Sequence, residues 1–329
     1  MSWTRRAVLL FGLLAAWPAA EAAEDTAQYP GKPIRVIVPF APGGATDITM
    51  RMIQPALSER LGQQLIIDNR GGAAGNIGME VAARTTPDGY TLFLGNVGTV
   101  AINPNFYRDL NVVPERDFIP VSLASETAGV VVANPGFPPN SLTEMVAYVK
   151  ARPGKINYAS SGISSQNTLE MEQFRKAAGL DMLMVPYKGG AGPALNDLVA
   201  GHVDVMFVTL SAASGHVKSG KLKALAVTTR NRLEQLPNVA TMAEQGFPEN
   251  VSSSWQGLFA IAGTPRPIVA KLHAAVIDAM KDEKTRKLMT DAGMIPTSSE
   301  TPEAFRTFVA NETAKWKAVV QNIGAKLEQ

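Results

Sequence analysis

Short apolar runs alternate along the chain with stretches whose apolar residues recur at helical spacing. The runs Ile34 to Phe40, Gln64 to Asp68, Tyr90 to Leu94, Ile119 to Ala124, Val130 to Ala133, Lys155 to Ala159, Met182 to Val185, Val203 to Thr209, Ala224 to Thr228 and Gly257 to Ala262 read as strands. Between them lie amphipathic stretches such as Ser141 to Lys150, where Met145, Val146 and Val149 share one face. From Pro267 onward the pattern is mainly helical, with Val269, Leu272, Val276 and Met280 in one stripe and Phe305, Phe308, Trp316 and Val319 in another. Alternation of this kind predicts an α/β fold of parallel sheets covered by helices.

Ten strands are many for one sheet, and two polar stretches offer a division. Ser125-Glu126-Thr127 separates two apolar runs, and Glu249 to Ser254 precedes Trp255-Gln256-Gly257. Taken as crossings, they predict one lobe of residues 31–125 plus 255–329 and a second lobe of residues 126–254. Two connecting strands between two α/β lobes make a hinge, and the cleft between them suits a small ligand.

The first two dozen residues follow another pattern. Arg5-Arg6, the apolar run Ala7 to Trp17 and then Ala20-Glu21-Ala22 give the charged, apolar and small-residue order of a secretory signal, predicted as residues 1–22 with cleavage after Ala22. Thr4-Arg5-Arg6 leaves both the general and the twin-arginine export routes open. The run is too short for a membrane span and no other segment approaches ~20 apolar residues, so the mature chain is expected to be exported and soluble.

Composition then narrows the classes. With 46% hydrophobic and 18% charged residues over 329 positions, nearly all of the chain should fold. The absence of cysteine excludes disulfides, a thiolate metal site, a thiol nucleophile and a lipoprotein anchor. Removing Arg5, Arg6 and Glu21 from 31 basic and 29 acidic residues leaves the balance at +1. With no basic stripe interleaved with aromatics, no nucleic-acid partner is implied.

The candidate chemistry sits where strands end and helices begin. The junction "PFAPGGATD", Pro39 to Asp47, combines a proline that fixes the entry, a Gly-Gly pair that lets bare backbone approach a ligand, and Thr46 or Asp47 as a cap for the next helix. The amides of that first turn, with the positive end of the helix dipole, favour a carboxylate or other anion. Similar donor-rich junctions are Asn69 to Gly78, Asn96 to Thr99, Ser160 to Asn167 and Tyr187 to Gly192, all expected at the carboxyl ends of strands. Each, taken singly, is also compatible with an ordinary capped turn, and Asp47, Ser164 and Ser165 read equally as caps. Lys188 reads as solvated, Tyr187 as a cleft wall or a strand end, and Asp204 as a cleft residue or the opening of a strand.

Catalysis finds little support, because the G-x-S-x-G, S-x-x-K, H-E-x-x-H and G-x-x-x-x-G-K-[ST] patterns are absent. His202, His216 and His273 are too dispersed for a local ligand pair. No cofactor or metal is called for.

The stretches "YPGKPIRVIVPFAPGGATD", "LGQQLIIDNRGGAAGNIG", "ARTTPDGYTLFLGN", "VPYKGGAGPALNDLVAGHVDVMF", "GKLKALAVTT", "LPNVATMAEQGFP" and "AGTPRP" follow one another along nearly the whole mature length. In them the chain resembles the Bug family, the periplasmic solute-binding receptors of tripartite tricarboxylate transporters. The resemblance implies a type II periplasmic-binding-protein fold, two α/β lobes joined by a two-strand hinge with the ligand cleft between them. It further implies that a carboxylate is gripped by the facing loops Phe40 to Asp47 and Ser160 to Ser165, with Gly189 to Gly192 as a supporting wall.

The candidate ligand residues are therefore Phe40, Ala41, Gly43, Gly44, Ala45, Thr46, Asp47, Asn96, Ser160, Ser161, Ser164, Ser165, Tyr187, Gly189, Gly190 and Asp204. Ser161, Ser164 and Asn167 stand where the family commonly has Pro or Ala, Gly and His, which makes that end of the pocket more polar. The expected function is capture of a small carboxylate, whether mono-, di- or tricarboxylate or amino acid, in the periplasm for delivery to membrane permease subunits, by a protein that works as a monomer. Two other readings are a periplasmic ligand sensor that signals to a membrane partner, and an exported hydrolase, which the missing nucleophile motifs disfavour.

Overall fold

The computed structural model describes residues 28–323 apart from Ile163, Lys188 and Gly189. The predicted signal segment and Gly189 thus lie outside the described residues.

The chain begins with β1 (Ile34–Val38), α1 (Ala45–Leu61), β2 (Leu65–Asn69), α2 (Asn76–Ala83) and β3 (Thr91–Asn96). The three strands pair in parallel in the order β2-β1-β3. After the short helices α3 (Asn103–Phe106) and α4 (Pro114–Asp117) comes the long strand β4 (Phe118–Ala133). Next follow α5 (Leu142–Lys150), β5 (Asn157–Ser160), α6 (Gln166–Ala178), β6 (Leu183–Pro186), α7 (Ala191–Ala200), β7 (Val205–Thr209), α8 (Leu210–Lys218) and β8 (Lys223–Val227). The return strand β9 (Ser253–Ile261) leads to α9 (Arg266–Lys281), α10 (Glu283–Asp291), the short β10 (Met294–Pro296) and α11 (Pro302–Ile323).

The strands form one curled sheet in the order β2-β1-β3-β9-β4-β7-β5-β6, with β8 and β10 also pairing β4. The expectation of purely parallel sheets is corrected: β9 runs antiparallel to β3 and β4, and β4 runs antiparallel to β7, β8 and β10. Amphipathic alternation reports helices on sheet faces but says nothing about a strand that returns from far along the chain.

A second correction concerns Ser125-Glu126-Thr127, which interrupts no strand. β4 passes straight through it, pairing β9 up to Ala128 and β7 from Gly129. Polar residues sit inside this strand because each is partnered. The Ser125 hydroxyl donates to Gln256 Oε1 at 2.5 Å, Thr127 Oγ1 donates to the Gly293 carbonyl at 3.1 Å, and Ser253 Oγ donates to Glu126 at 3.1 Å.

Among the described residues the buried apolar side chains gather in four clusters. Two draw on residues before 125 and after 254, covering the faces of β1, β3 and β9, and two draw on residues between 128 and 247. Val269, Leu272, Val276 and Met280 are buried in the first cluster; Phe305 and Trp316 are buried in the second, with Phe308 and Val319 packed against it. Leu169 of α6 joins that second cluster beside Trp255 and Trp316. Lys176 of α6 also donates to the Asn322 carbonyl of α11 at 2.8 Å, so α6 and α11 tie the two halves together.

Candidate functional site

A cavity of about 420 Å³ lies where the carboxyl ends of β1, β3, β5 and β7 face one another across β9. Its walls include four helix starts: Gly44 to Thr46 of α1, Ser165 to Asn167 of α6, Gly190 to Pro193 of α7 and Thr209 before α8. The first amides of a helix have no intrahelical acceptor. At α1 the N-cap is Gly44, with no side-chain acceptor, so neither Thr46 nor Asp47 caps this helix as expected. The N-caps of α7 and α8, Gly190 and Thr209, likewise provide no side-chain acceptor. Several N–H groups and helix dipoles are therefore turned toward one volume.

Asp47 does something other than bind. It is 1% exposed and lies below the loop, where its carboxylate accepts from the Gly43 amide at 2.9 Å, from Arg51 Nε at 2.9 Å and from Asn69 Nδ2 at 3.0 Å. Burial pushes its pKa up, but the Arg51 hydrogen bond, the Gly43 amide, Asn69 and the Arg51 charge together outweigh burial and hold the carboxyl below its ordinary value. Asn69 Nδ2 also reaches the Phe40 carbonyl at 2.9 Å. Gly43, at φ +92°, makes the turn that aims this amide at Asp47 and is not itself in the wall.

Asn96 continues the wall. Its Nδ2 donates to Thr46 Oγ1 at 3.3 Å while its Oδ1 accepts from the Thr99 amide at 2.9 Å, which links β3 to the first turn of α1. On the other side Ser165 caps α6, accepting from the Thr168 amide at 3.3 Å and from Ser161 Oγ at 3.0 Å. Ser164 is bonded to the Tyr107 hydroxyl at 3.1 Å. Ser160 is 1% exposed and braces the loop from beneath through Thr168 Oγ1 at 2.8 Å.

Of the sequence candidates, Phe40, Ala41, Gly44, Ala45, Thr46, Asn96, Ser161, Ser164, Ser165 and Gly190 line the cavity. Gly43, Asp47 and Ser160 support it from behind. Two candidates, Tyr187 and Asp204, lie outside the cavity wall. Tyr187 follows β6 and donates its hydroxyl to Asp197 at 2.7 Å; burial and that carboxylate push its pKa up to about 12. Asp204 precedes β7, a strand's length from Thr209, and exchanges hydrogen bonds with Asn157, its Oδ2 accepting from the Asn157 amide and its own amide donating to Asn157 Oδ1, both at 2.9 Å.

The Ser160 to Asn167 junction supplies Gln166 and Asn167 to the wall, although neither was among the ligand candidates, and sequence reasoning missed Thr209, Ser254 and Gln256 there. The strand-to-helix rule would have found Thr209. Nothing local marks Ser254 and Gln256, which reach the cavity through the register of β9 against β3 and β4. Among the described lining residues none is charged.

The family model described as "Tripartite tricarboxylate transporter family receptor" matches residues 49–325. The chain belongs to that receptor family. The protein BugT of Bordetella pertussis (strain Tohama I) is 36% identical over 330 residues, covering 100% of both chains. The R. palustris protein Rpa4515, solved with adipate, superposes with a TM-score of 0.86 at 32% identity, covering 90% of this chain and 98% of that one. MatC from Rhodopseudomonas palustris, solved with bound malate, gives a TM-score of 0.83 at 35% identity, covering 89% of this chain and 100% of that one. As a member of this receptor family, the chain has the mixed α/β architecture of its periplasmic-binding-protein neighbours.

Proposed function

We propose that this protein captures a small carboxylate in the periplasm and hands it to the membrane subunits of a tripartite tricarboxylate-type transporter. It binds its ligand without turning it over. The observation that carries this reading is the convergence of four helix starts, those of α1, α6, α7 and α8, on one cavity whose described walls carry no charge. An anion entering such a site loses water and must be repaid by several oriented N–H groups, each charge-assisted bond contributing about 1.5–3 kcal/mol. The adipate and malate held by two relatives are small acids of the same kind.

The protein has two lobes, residues 31–125 with 255–329 and residues 126–254, which close on the ligand about β4 and β9. The split of the apolar clusters at these crossings supports that division. Closure follows because a ligand touching both lobes stabilises the closed state over the open one. The mature protein acts as a monomer after removal of residues 1–22.

The test is thermal unfolding of mature protein, refolded to remove cargo, against mono-, di- and tricarboxylates and amino acids. A rise in midpoint with carboxylates supports the reading. No rise with any acid, together with a response to sugars or cations, would overturn it.

A further inference from the structure

Two glutamines of the cavity wall each leave one buried side-chain atom without a partner. Gln256 on β9 is 1% exposed, and the hydroxyls of Ser125 and Thr49 both lie on its Oε1 side, at 2.5 and 3.5 Å. Its Nε2 has no partner. Gln166 opens α6 and is 5% exposed. Its Nε2 donates to Glu170 Oε1 at 2.7 Å and to the Ser253 carbonyl at 3.1 Å, and since a carbonyl only accepts, the amide cannot be turned over. Its Oε1 has no partner. Both residues line the cavity.

An unpartnered buried donor and an unpartnered buried acceptor are each costly unless a ligand completes them. A carboxylate satisfies Gln256 Nε2 but is repelled by Gln166 Oε1. An ammonium satisfies Gln166 Oε1 but meets the Gln256 N–H and the positive helix ends, with no carboxylate among the described lining residues to offset its charge. An uncharged group that both donates and accepts suits the pair.

Building on the carboxylate reading above, we propose that Gln166 and Gln256 are specificity residues selecting acids that carry a hydroxyl or a primary amide over the unsubstituted acid. The cradle of helix starts takes the carboxylate, and the two glutamines read the neutral substituent. Sites built to bond a ligand hydroxyl or amide discriminate sharply against analogues that lack it, because the analogue leaves the protein groups unpaired.

Calorimetric titration of the refolded mature protein with matched probes tests this: succinate against malate and succinamate, and butanoate against 3-hydroxybutanoate. The expected result is binding about tenfold or more tighter for the hydroxyl- or amide-bearing member of at least one set. Gln256→Leu and, independently, Gln166→Met each weaken the hydroxyl- or amide-bearing acid about tenfold more than the unsubstituted acid, so that the preference is lost. An equal loss for both acids, in a variant whose melting temperature is retained, would show a general role in binding and overturn the assignment. Unsubstituted acids bound as tightly as their hydroxyl and amide counterparts would overturn it while leaving the carboxylate reading intact. Failure of every acid to bind the wild type would remove the carboxylate reading and this inference with it.

Discussion

Replacing Gly44 by leucine separates the binding role of the α1 cradle from its structural role. Gly44 has φ −82° and ψ 166°, a backbone state open to any residue, and a Cβ built there meets no atom within 4 Å. The substitution therefore strains nothing and directs four carbon atoms into the space beside the cavity. A poorer N-cap costs about 0.5–1 kcal/mol, and the reduced freedom of the unfolded chain returns about 0.4–1 kcal/mol. Net stability should change by less than about 1 kcal/mol, which at this chain length is a shift of about 2–4 °C or less in Tm. Blocking the amides of Ala45 and Thr46 removes two charge-assisted hydrogen bonds, about 3 kcal/mol at the low end, so affinity should fall at least about 100-fold. Titration calorimetry and a melting curve on the same sample read both quantities. Affinity within threefold of wild type in a variant of normal Tm would refute the cradle. A large fall in Tm would refute the open space around Gly44.

Two other substitutions test the groups behind the wall. Asp47→Asn should lose about 2 kcal/mol at pH 7, since three donors lose a charged acceptor while the half-exposed Arg51 regains water. The folded pKa of Asp47 lies below its unfolded value, so its stabilisation is present above the unfolded pKa and fades as pH falls through the folded one. Urea denaturation at pH 7 and pH 3 should accordingly show a gap that narrows in acid, and equal midpoints at pH 7 would remove the bracing role. Glu170 is shifted the other way: burial raises its pKa against the opposing pull of Gln166, Asn167 and the Lys315 charge. Stability is then lost as pH rises from the unfolded value through the folded one, and Glu170→Gln should flatten that loss. The same urea series at pH 5 and pH 8 checks it, and a variant whose deficit grows toward pH 8 would contradict the sign.

The parts of the fold legible in the sequence were those with local causes. Apolar runs with helical partners located β1 to β3, β5 to β8 and the stripes of α9 and α11 to within a few residues. The continuity of β4 was hidden because Ser125 and Thr127 look like loop residues until Gln256 and Gly293 are known to face them. β10 is three residues long and pairs β4, which leaves no periodic signal.

Of the wall, the Gly44 to Thr46 turn was readable because glycines beside a helix start have few other uses at a strand end. Gln256 was not, since it faces the cavity only through its pairing with Asn96 and Ser125, both more than 100 residues earlier in the chain. Asp204 misled in the opposite sense. It is a polar residue next to a strand, but at the amino end, where no helix start converges.

The most direct measurement is a crystal structure of the refolded protein with the tightest-binding acid of the panel. The account predicts one carboxylate bonded to the Ala45 and Thr46 amides between the two lobes, with any hydroxyl or amide of the ligand at Gln166 and Gln256. A carboxylate seated outside this cavity, or held there by side chains with the α1 amides bare, would contradict it.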